Sequence, residues 1–322
     1  MPALTAKAPA KLILLGEHAV VYGYPALAVP VASRWLRATM QARIKPANSG
    51  LTVSAPQLDI ECPFEALPEL HPIKAAVIVT LRHLGIQRLP SANLNIQANF
   101  PFSSGLGSSA SLAVAVIRVF SAFLGHSITN PELNTLAYQV ETSAHGTPSG
   151  VDNSVVSYNQ PIWFIKGAQP TPLQPGANFH FLIADSGIKK STAASVGELA
   201  RRHDEDSTFI DECFKKIAGL TRLGRQAFQS GEIQRFGELM NENQEQLAKL
   251  GLSCPELDRL NAAALKSGAF GAKLTGGGLG GFMVALSPTA ETVPFKKALI
   301  EAGAQQVIDV PVLKNPEGDS HE

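Results

Sequence analysis

The sequence predicts an α+β protein of two domains, and three stretches carry that prediction. Residues 93–124 read NLNIQANFPFSSGLGSSASLAVAVIRVFSAFL. Leu94, Ile96, Ala98 and Phe100 alternate with Asn93, Asn95, Gln97 and Asn99, the period of a half-buried strand. After Ala110 the pattern changes to an apolar run of helical length, stopped at Gly125. Residues 167–176 (GAQPTPLQPG) form a Pro- and Gly-rich linker, with a fresh strand pattern, FHFLIAD, beyond it. Residues 205–250 are helical in pattern and lead to a glycine-rich segment and further strands. Domains at residues 1–168 and 177–322 follow from that linker.

Each element can be justified in order. Residues 7–32 give two strands joined by a turn around Gly16, with Gly23-Tyr24-Pro25 marking a second turn. Lys11 opens the first strand on the face of Ile13 and Leu15, as an edge-strand gatekeeper or as a catalytic group. Glu17 and His18 interrupt an apolar stretch, either as a solvated tip or as a hydrogen-bonding pair facing a cleft. Residues 34–62 carry strand signals broken at Pro46–Gly50, and a helix over Pro72–Leu84 is closed by Gly85. Asn130-Pro131 starts another helix, with Asn as N-cap and Pro at the first helical position. The run HGTPSGVDNSVVSY then turns at Pro148-Ser149-Gly150 and places Asp152 just before a β-branched strand, as a turn former or as a carboxylate at a strand end. His145 reads as a loop residue. Helical breaks fall near Gly219 and Ser230-Gly231, and Gly251 closes that region. FMVAL and Gln305–Val312 are strands, and KNPEGDSHE is a frayed tail.

Composition narrows the function. With 322 residues, 45% apolar and 17% charged, the chain is long enough for one large domain or two of ordinary size, a substantial core is available and disorder is not indicated. Lys plus Arg and Asp plus Glu balance at 27 each, which argues against nucleic acid and anionic membrane as partners. Cys62, Cys213 and Cys254 are odd in number and widely spaced, which suits a reducing, cytoplasmic compartment and gives no zinc spacing. No apolar run approaches the ~20 residues of a membrane span.

Chemistry concentrates between the strand and the helix of 93–124. Strand, small-residue loop and helix N-terminus is a layout that binds phosphate, because glycines let backbone N–H groups reach an anion and the first helical turn favours negative charge. No Lys follows Gly107, so this is not a Walker loop, and Ser108 and Ser109 lack the G-x-S-x-G frame of a nucleophile elbow. Glu141 falls on the apolar face of Leu133, Leu136, Ala137 and Val140. A carboxylate there needs a positive partner, either an Arg or Lys or a metal ion, Mg²⁺ beside phosphates. The glycines of 276–281 satisfy G-x-G-x-x-G, but a strand follows them, so they mark close backbone approach to a ligand or another loop rather than a dinucleotide site.

An anion cradle, two acids, a lysine and a second glycine loop are the parts of phosphoryl transfer. Three motifs in order, APAKLILLGEHAVVYG, PFSSGLGSSAS and KLTGGGLGGF, together spanning nearly the whole chain, resemble those of the GHMP small-molecule kinases, named for galactose, homoserine, mevalonate and phosphomevalonate. GEHAVVYG, HGTPSGVDN and DSGIKKST are most similar to the branch that acts on mevalonate. The resemblance implies an N-terminal α/β domain with the phosphate loop and a ferredoxin-like C-terminal domain. It implies ATP held by Pro101, Ser103, Ser104, Gly105, Leu106, Gly107, Ser108, Ser109 and Ala110, with Mg²⁺ on Ser109 and Glu141. Asp152 would be the base toward the acceptor hydroxyl, with Lys11 beside it. Glu17, His18, Ser149 and Thr192 would line the mevalonate pocket, and Thr275–Gly281 would support the phosphate loop. Ala10 and Ser103 replace commoner glycines. Residues 153–165 hold no Arg or Lys for the substrate carboxylate, and a homodimer is left open.

Overall fold

Two long strands open the chain, β1 (Leu4–Leu15) and β2 (Ala26–Ala42), joined by a 3-10 turn over Ala19–Tyr22. The computed structural model describes residues 3–43, 50–102, 105–145, 148–189 and 192–314. Its two compact units are Met1–Lys11 with Pro30–Asn159, and Leu12–Val29 with Gln160–Glu322. The sequence places the boundary in the linker at 167–176; the units instead divide at Asn159/Gln160 and share β1 and β2 between them. Pairing explains this, because Ala26–Ala28 of β2 are hydrogen-bonded to residues 162–164.

The first unit continues with β3 (Leu51–Ala55), β4 (Ile60–Pro63), α1 (Pro72–His83), β5 (Ala92–Ala98), α2 (Ser108–Phe123), α3 (Asn130–His145) and α4 (Val151–Tyr158). Strand β5 lies between β3, parallel, and the second half of β2, antiparallel. Its alternation is as the sequence reads, with Leu94 and Ile96 buried and Asn95 and Gln97 exposed. Helix α2 is buried around most of its circumference and packs against α1, α3 and α4, which accounts for its unbroken apolar run. Three expectations change here. Lys11 sits late in β1 rather than opening it. Asn130 is the first residue of α3, and Thr129 makes the capping box, its N–H and hydroxyl donating to Glu132 at 2.8 and 2.6 Å. Residues 151–158 are a helix, not a strand. The valines that suggest a strand are buried there with Asn153, Ser154 and Ser157, so packing overrides local propensity. The polar break at 46–49 lies outside the described residues.

The second unit adds β6 (Ile162–Phe164), β7 (Thr171–Pro172), β8 (Phe179–Asp185), α5 (Thr192–Glu205), α6 (Ser207–Ser230), α7 (Ile233–Lys249), α8 (Pro255–Lys266), β9 (Gly271–Thr275), β10 (Phe282–Ser287), α9 (Val293–Glu301) and β11 (Gln306–Val312). Its antiparallel sheet runs β11-β8-β10-β9, the βαββαβ order of a ferredoxin-like domain. Helices α7 and α8 pack on β9, and a core of Leu182, Phe214, Leu247, Leu260, Leu274 and Met283 fills the layer. Helix α6 runs through Gly219 without a break, because Phe214, Ile217, Ala218 and Thr221 keep one face buried and outweigh the ~1 kcal/mol helix cost of one glycine. The sequence reading names neither α8 nor α9, although each begins with a proline in its first turn. Residues 315–322 of the tail lie outside the described residues. Among the described residues no helix is long and apolar enough to cross a membrane, and Cys62, Cys213 and Cys254 are free thiols.

Candidate active site

The loop before α2 is shaped by what its residues lack. Gly107 is the N-cap of α2 and holds φ 76°, the left-handed region that disfavours side chains. A Cβ there would meet Lys11 Cγ at 2.6 Å, so the loop can lie over the lysine stem only as glycine. An N-cap without a side chain also leaves the first-turn N–H groups uncapped from that residue, as anion binding at a helix start requires. Leu106 is buried and its carbonyl accepts from the Lys11 N–H at 2.9 Å. Ser111 Oγ ties the first turn to the Pro9 carbonyl at 2.7 Å. Gly105 and Pro101 are exposed, Ser108 and Ala110 are buried, and Ser103 and Ser104 lie outside the described residues.

Lys11 is therefore fastened to the loop through its backbone, and its side chain reaches a carboxylate. Its Nζ is 3.0 Å from Asp152 Oδ1, with the lysine side chain 6% exposed and the aspartate 32%. An edge-strand guard would be solvated, whereas this ammonium is buried against an acid. Asp152 lies in the first turn of α4, after the left-handed Gly150. Ser149 Oγ accepts from the Val151 N–H at 3.3 Å and helps begin that helix.

Glu141, 6% exposed, stands on the buried stripe of α3, and Ser109 Oγ donates to its Oε1 at 2.5 Å. A hydroxyl and a carboxylate side by side are hard oxygen donors. Among the described residues no group of three or more His, Cys, Asp or Glu could hold a metal alone. That hydroxyl–carboxylate pair fits Mg²⁺, which takes one or two carboxylates and completes its shell with phosphate and water.

In the second unit, Glu17 and Lys273 make an ion pair whose two side chains are fully buried. Lys273 also donates to the Leu274 carbonyl at 2.7 Å. Burial pulls the Lys273 ammonium below the usual lysine range, and the Glu17 carboxylate works against that. His18 is buried at φ 60°, with its Nε2 3.1 Å from the Gly277 carbonyl, which fixes a proton on Nε2. Thr275 Oγ1 donates to the Ile13 carbonyl at 2.9 Å. The glycine loop itself meets another loop: a Cβ on Gly278 would lie 2.3 Å from the Leu252 carbonyl. Thr192 heads α5, and its side chain lies outside the described residues, as does that of His145.

Comparison with known proteins decides the family. The family model described as GHMP kinases N terminal domain matches residues 71–160, and the one described as GHMP kinases C terminal matches residues 225–303. A mevalonate kinase of Thermococcus gammatolerans is 31% identical over 321 residues, covering 95% of each chain. The chain belongs to the GHMP kinases. The crystal structure of the Methanococcus jannaschii mevalonate kinase matches this GHMP kinase at a TM-score of 0.83 and 27% identity, covering 98% of this chain and 99% of that one. The crystal structure of L. major mevalonate kinase in complex with R-mevalonate matches at 0.78 and 27%, covering 97% and 96%.

One residue of this GHMP kinase escapes the sequence reading. Lys273 had a signal, a charged residue amid the buried strand GAKLT, but nothing local says that its partner lies 256 positions away. The same region makes stability depend on pH. Desolvation lowers the His18 pKa from 6.5 to about 4, against the pull of the Gly277 carbonyl. Between those values the unfolded chain binds the proton and the folded one does not, so stability present above pH 6.5 is lost as pH falls toward 4, by about 3 kcal/mol in full. Urea unfolding at pH 7.5 and 4.5 is expected to show that loss in the wild type and much less of it in His18→Asn. Equal acid losses in both proteins would remove His18 as the cause.

Proposed function

We propose that this GHMP kinase transfers the γ-phosphoryl group of ATP to the C5 hydroxyl of (R)-mevalonate, giving 5-phosphomevalonate and ADP. The observation that carries the reading is the junction at Lys11, whose backbone holds the phosphate loop through Leu106 while its ammonium meets Asp152. Phosphoryl transfer needs mainly positioning and charge neutralisation, and this junction brings both to one residue. The first-turn N–H groups of α2 receive the phosphates. Asp152 takes the proton of the acceptor hydroxyl as its oxygen bonds to phosphorus, and Lys11 offsets the charge growing on that oxygen. Ser109 and Glu141 are the residues that would hold Mg²⁺, whose charge offsets that of the phosphates when bound. Glu17, His18, Ser149 and Thr192 are proposed contacts of mevalonate, on the resemblance of GEHAVVYG and HGTPSGVDN to the branch that acts on mevalonate. The free thiols fit a reducing cytoplasm.

A coupled ADP-release assay with mevalonate, phosphomevalonate, homoserine and galactose as acceptors tests this. Turnover is expected with mevalonate. Turnover with phosphomevalonate alone would refute the substrate, and ATP binding without turnover on any acceptor would point to a ligand sensor on a kinase fold.

A further inference from the structure

Helix α4 has only eight residues, and the acid proposed to take the substrate's proton sits in its first turn. So short a helix does not hold its own direction in water, and its orientation is set by its neighbours. Burial of its valines against α2 and α3 supplies part of that orientation, and two polar contacts, one at each end, supply the rest. At the C-terminal end, Arg118 of α2 donates to the Ser157 carbonyl at 2.7 Å, a cation at the negative end of the helix. At the N-terminal end the contact is Asn134 of α3. Asn153 Nδ2 donates to Asn134 Oδ1 at 2.6 Å and to its carbonyl at 3.3 Å, and Ser154 Oγ, which donates to the Gly150 carbonyl at 2.6 Å, lies 3.3 Å from the same Oδ1.

Asn153 and Ser154 are the two residues that follow Asp152, and both are buried. Asn153 Oδ1 is buried and has no hydrogen-bond partner among the described residues, and the hydrogen bonds of its Nδ2 run to Asn134. A buried amide satisfied on one side only would be exchanged cheaply for an apolar side chain if packing were its sole task. Asn134 also lies on the helix that carries Glu141, seven residues and two turns away, which puts Asp152 and Glu141 on one brace.

We infer that Asn134 is a positioning residue for Asp152, acting through Asn153 and Ser154. With the far end of α4 held by Arg118, loss of Asn134 frees the end where Asp152 stands. This rests on the reading of Asp152 as the proton acceptor. A misplacement of about 1 Å can cost on the order of 100-fold in rate.

The test uses the full chain with ATP and mevalonate. Asn134→Ala is expected to lower kcat ten- to a hundredfold while the KM for ATP changes less than about threefold. Asn134→Asp keeps the acceptor atoms that Asn153 and Ser154 use, and is expected to restore most of kcat. Asn153→Leu, close in shape and removing the same bonds from the other side, is expected to cost a similar factor. The double variant Asn134→Ala/Asn153→Leu is expected to lose no more than the worse single one, since the two residues act as a unit. Unchanged kcat in both single variants, or losses that multiply in the double, overturns the proposal. Variants that differ from wild type only in melting temperature also overturn it. An unimpaired Asp152→Asn enzyme would instead refute the reading on which it rests.

Discussion

Asp152→Asn is expected to cut kcat by about 10²–10⁴-fold, the range that a positioned general base contributes. The amide has nearly the same shape but cannot accept the acceptor's proton at neutral pH. The KM for ATP should stay close to that of the wild type, because the loop is fastened through Leu106 to the Lys11 backbone and through Ser111 to the Pro9 carbonyl, not through the Asp152 side chain. The substitution also leaves the buried Lys11 ammonium facing a neutral group, so a modest drop in melting temperature should accompany the loss of rate. Steady-state kinetics with a nucleotide-binding measurement separate these effects. Turnover near the wild-type value would remove Asp152 as the base, whatever happened to stability.

Lys273→Met is the substitution expected to cost most stability. It leaves the Glu17 carboxylate fully buried without its counter-charge, and breaking such a pair from one side costs about 3–5 kcal/mol. For a unit of this size that is a fall in melting temperature on the order of 10 °C. Removing the second charge as well should recover most of it, because an apolar pair of similar volume is often as stable as a buried ion pair. Glu17→Met/Lys273→Met is therefore expected to melt within a few degrees of the wild type while turning over mevalonate poorly, Glu17 being a proposed substrate contact. A double variant as unstable as the single one would mean that the lysine stem, rather than its charge, supports β9. A fully active double variant would remove Glu17 from the substrate pocket.

The sequence carried much of this and stopped where contacts become long-range. The alternation of Leu94 and Ile96 against Asn95 and Gln97 survives in the fold because β5 has one buried face and one exposed face. Glu141 was legible as a buried acid because helical spacing alone assigns it to the apolar stripe of α3. Asp152 was legible as an acid in a turn region, but α4 was not. Its valines carry a strand preference that only burial against α2 and α3 overrules, and burial is not a local property. Its own strand left Lys11 between an edge residue and a catalytic group, and only the resemblance put it beside Asp152, 141 positions later. Nothing local announces that partner. The same holds for Lys273 and Glu17. The capping box at Thr129–Glu132 was a local signal; Asn130-Pro131 drew the helix start away from it.

Because β1 and β2 each thread both units, no single cut divides this protein into two self-sufficient pieces. A fragment beginning in the linker at 167–176 would carry Lys273 into a folded core without Glu17, and would lack Ile13 as acceptor for Thr275 and His18 as donor to the Gly277 carbonyl. Leu12–Val29 thus belong to the same compact unit as Gln160–Glu322. During synthesis Ile13, Glu17 and His18 must wait for their partners at 273–277 until most of the chain has been made.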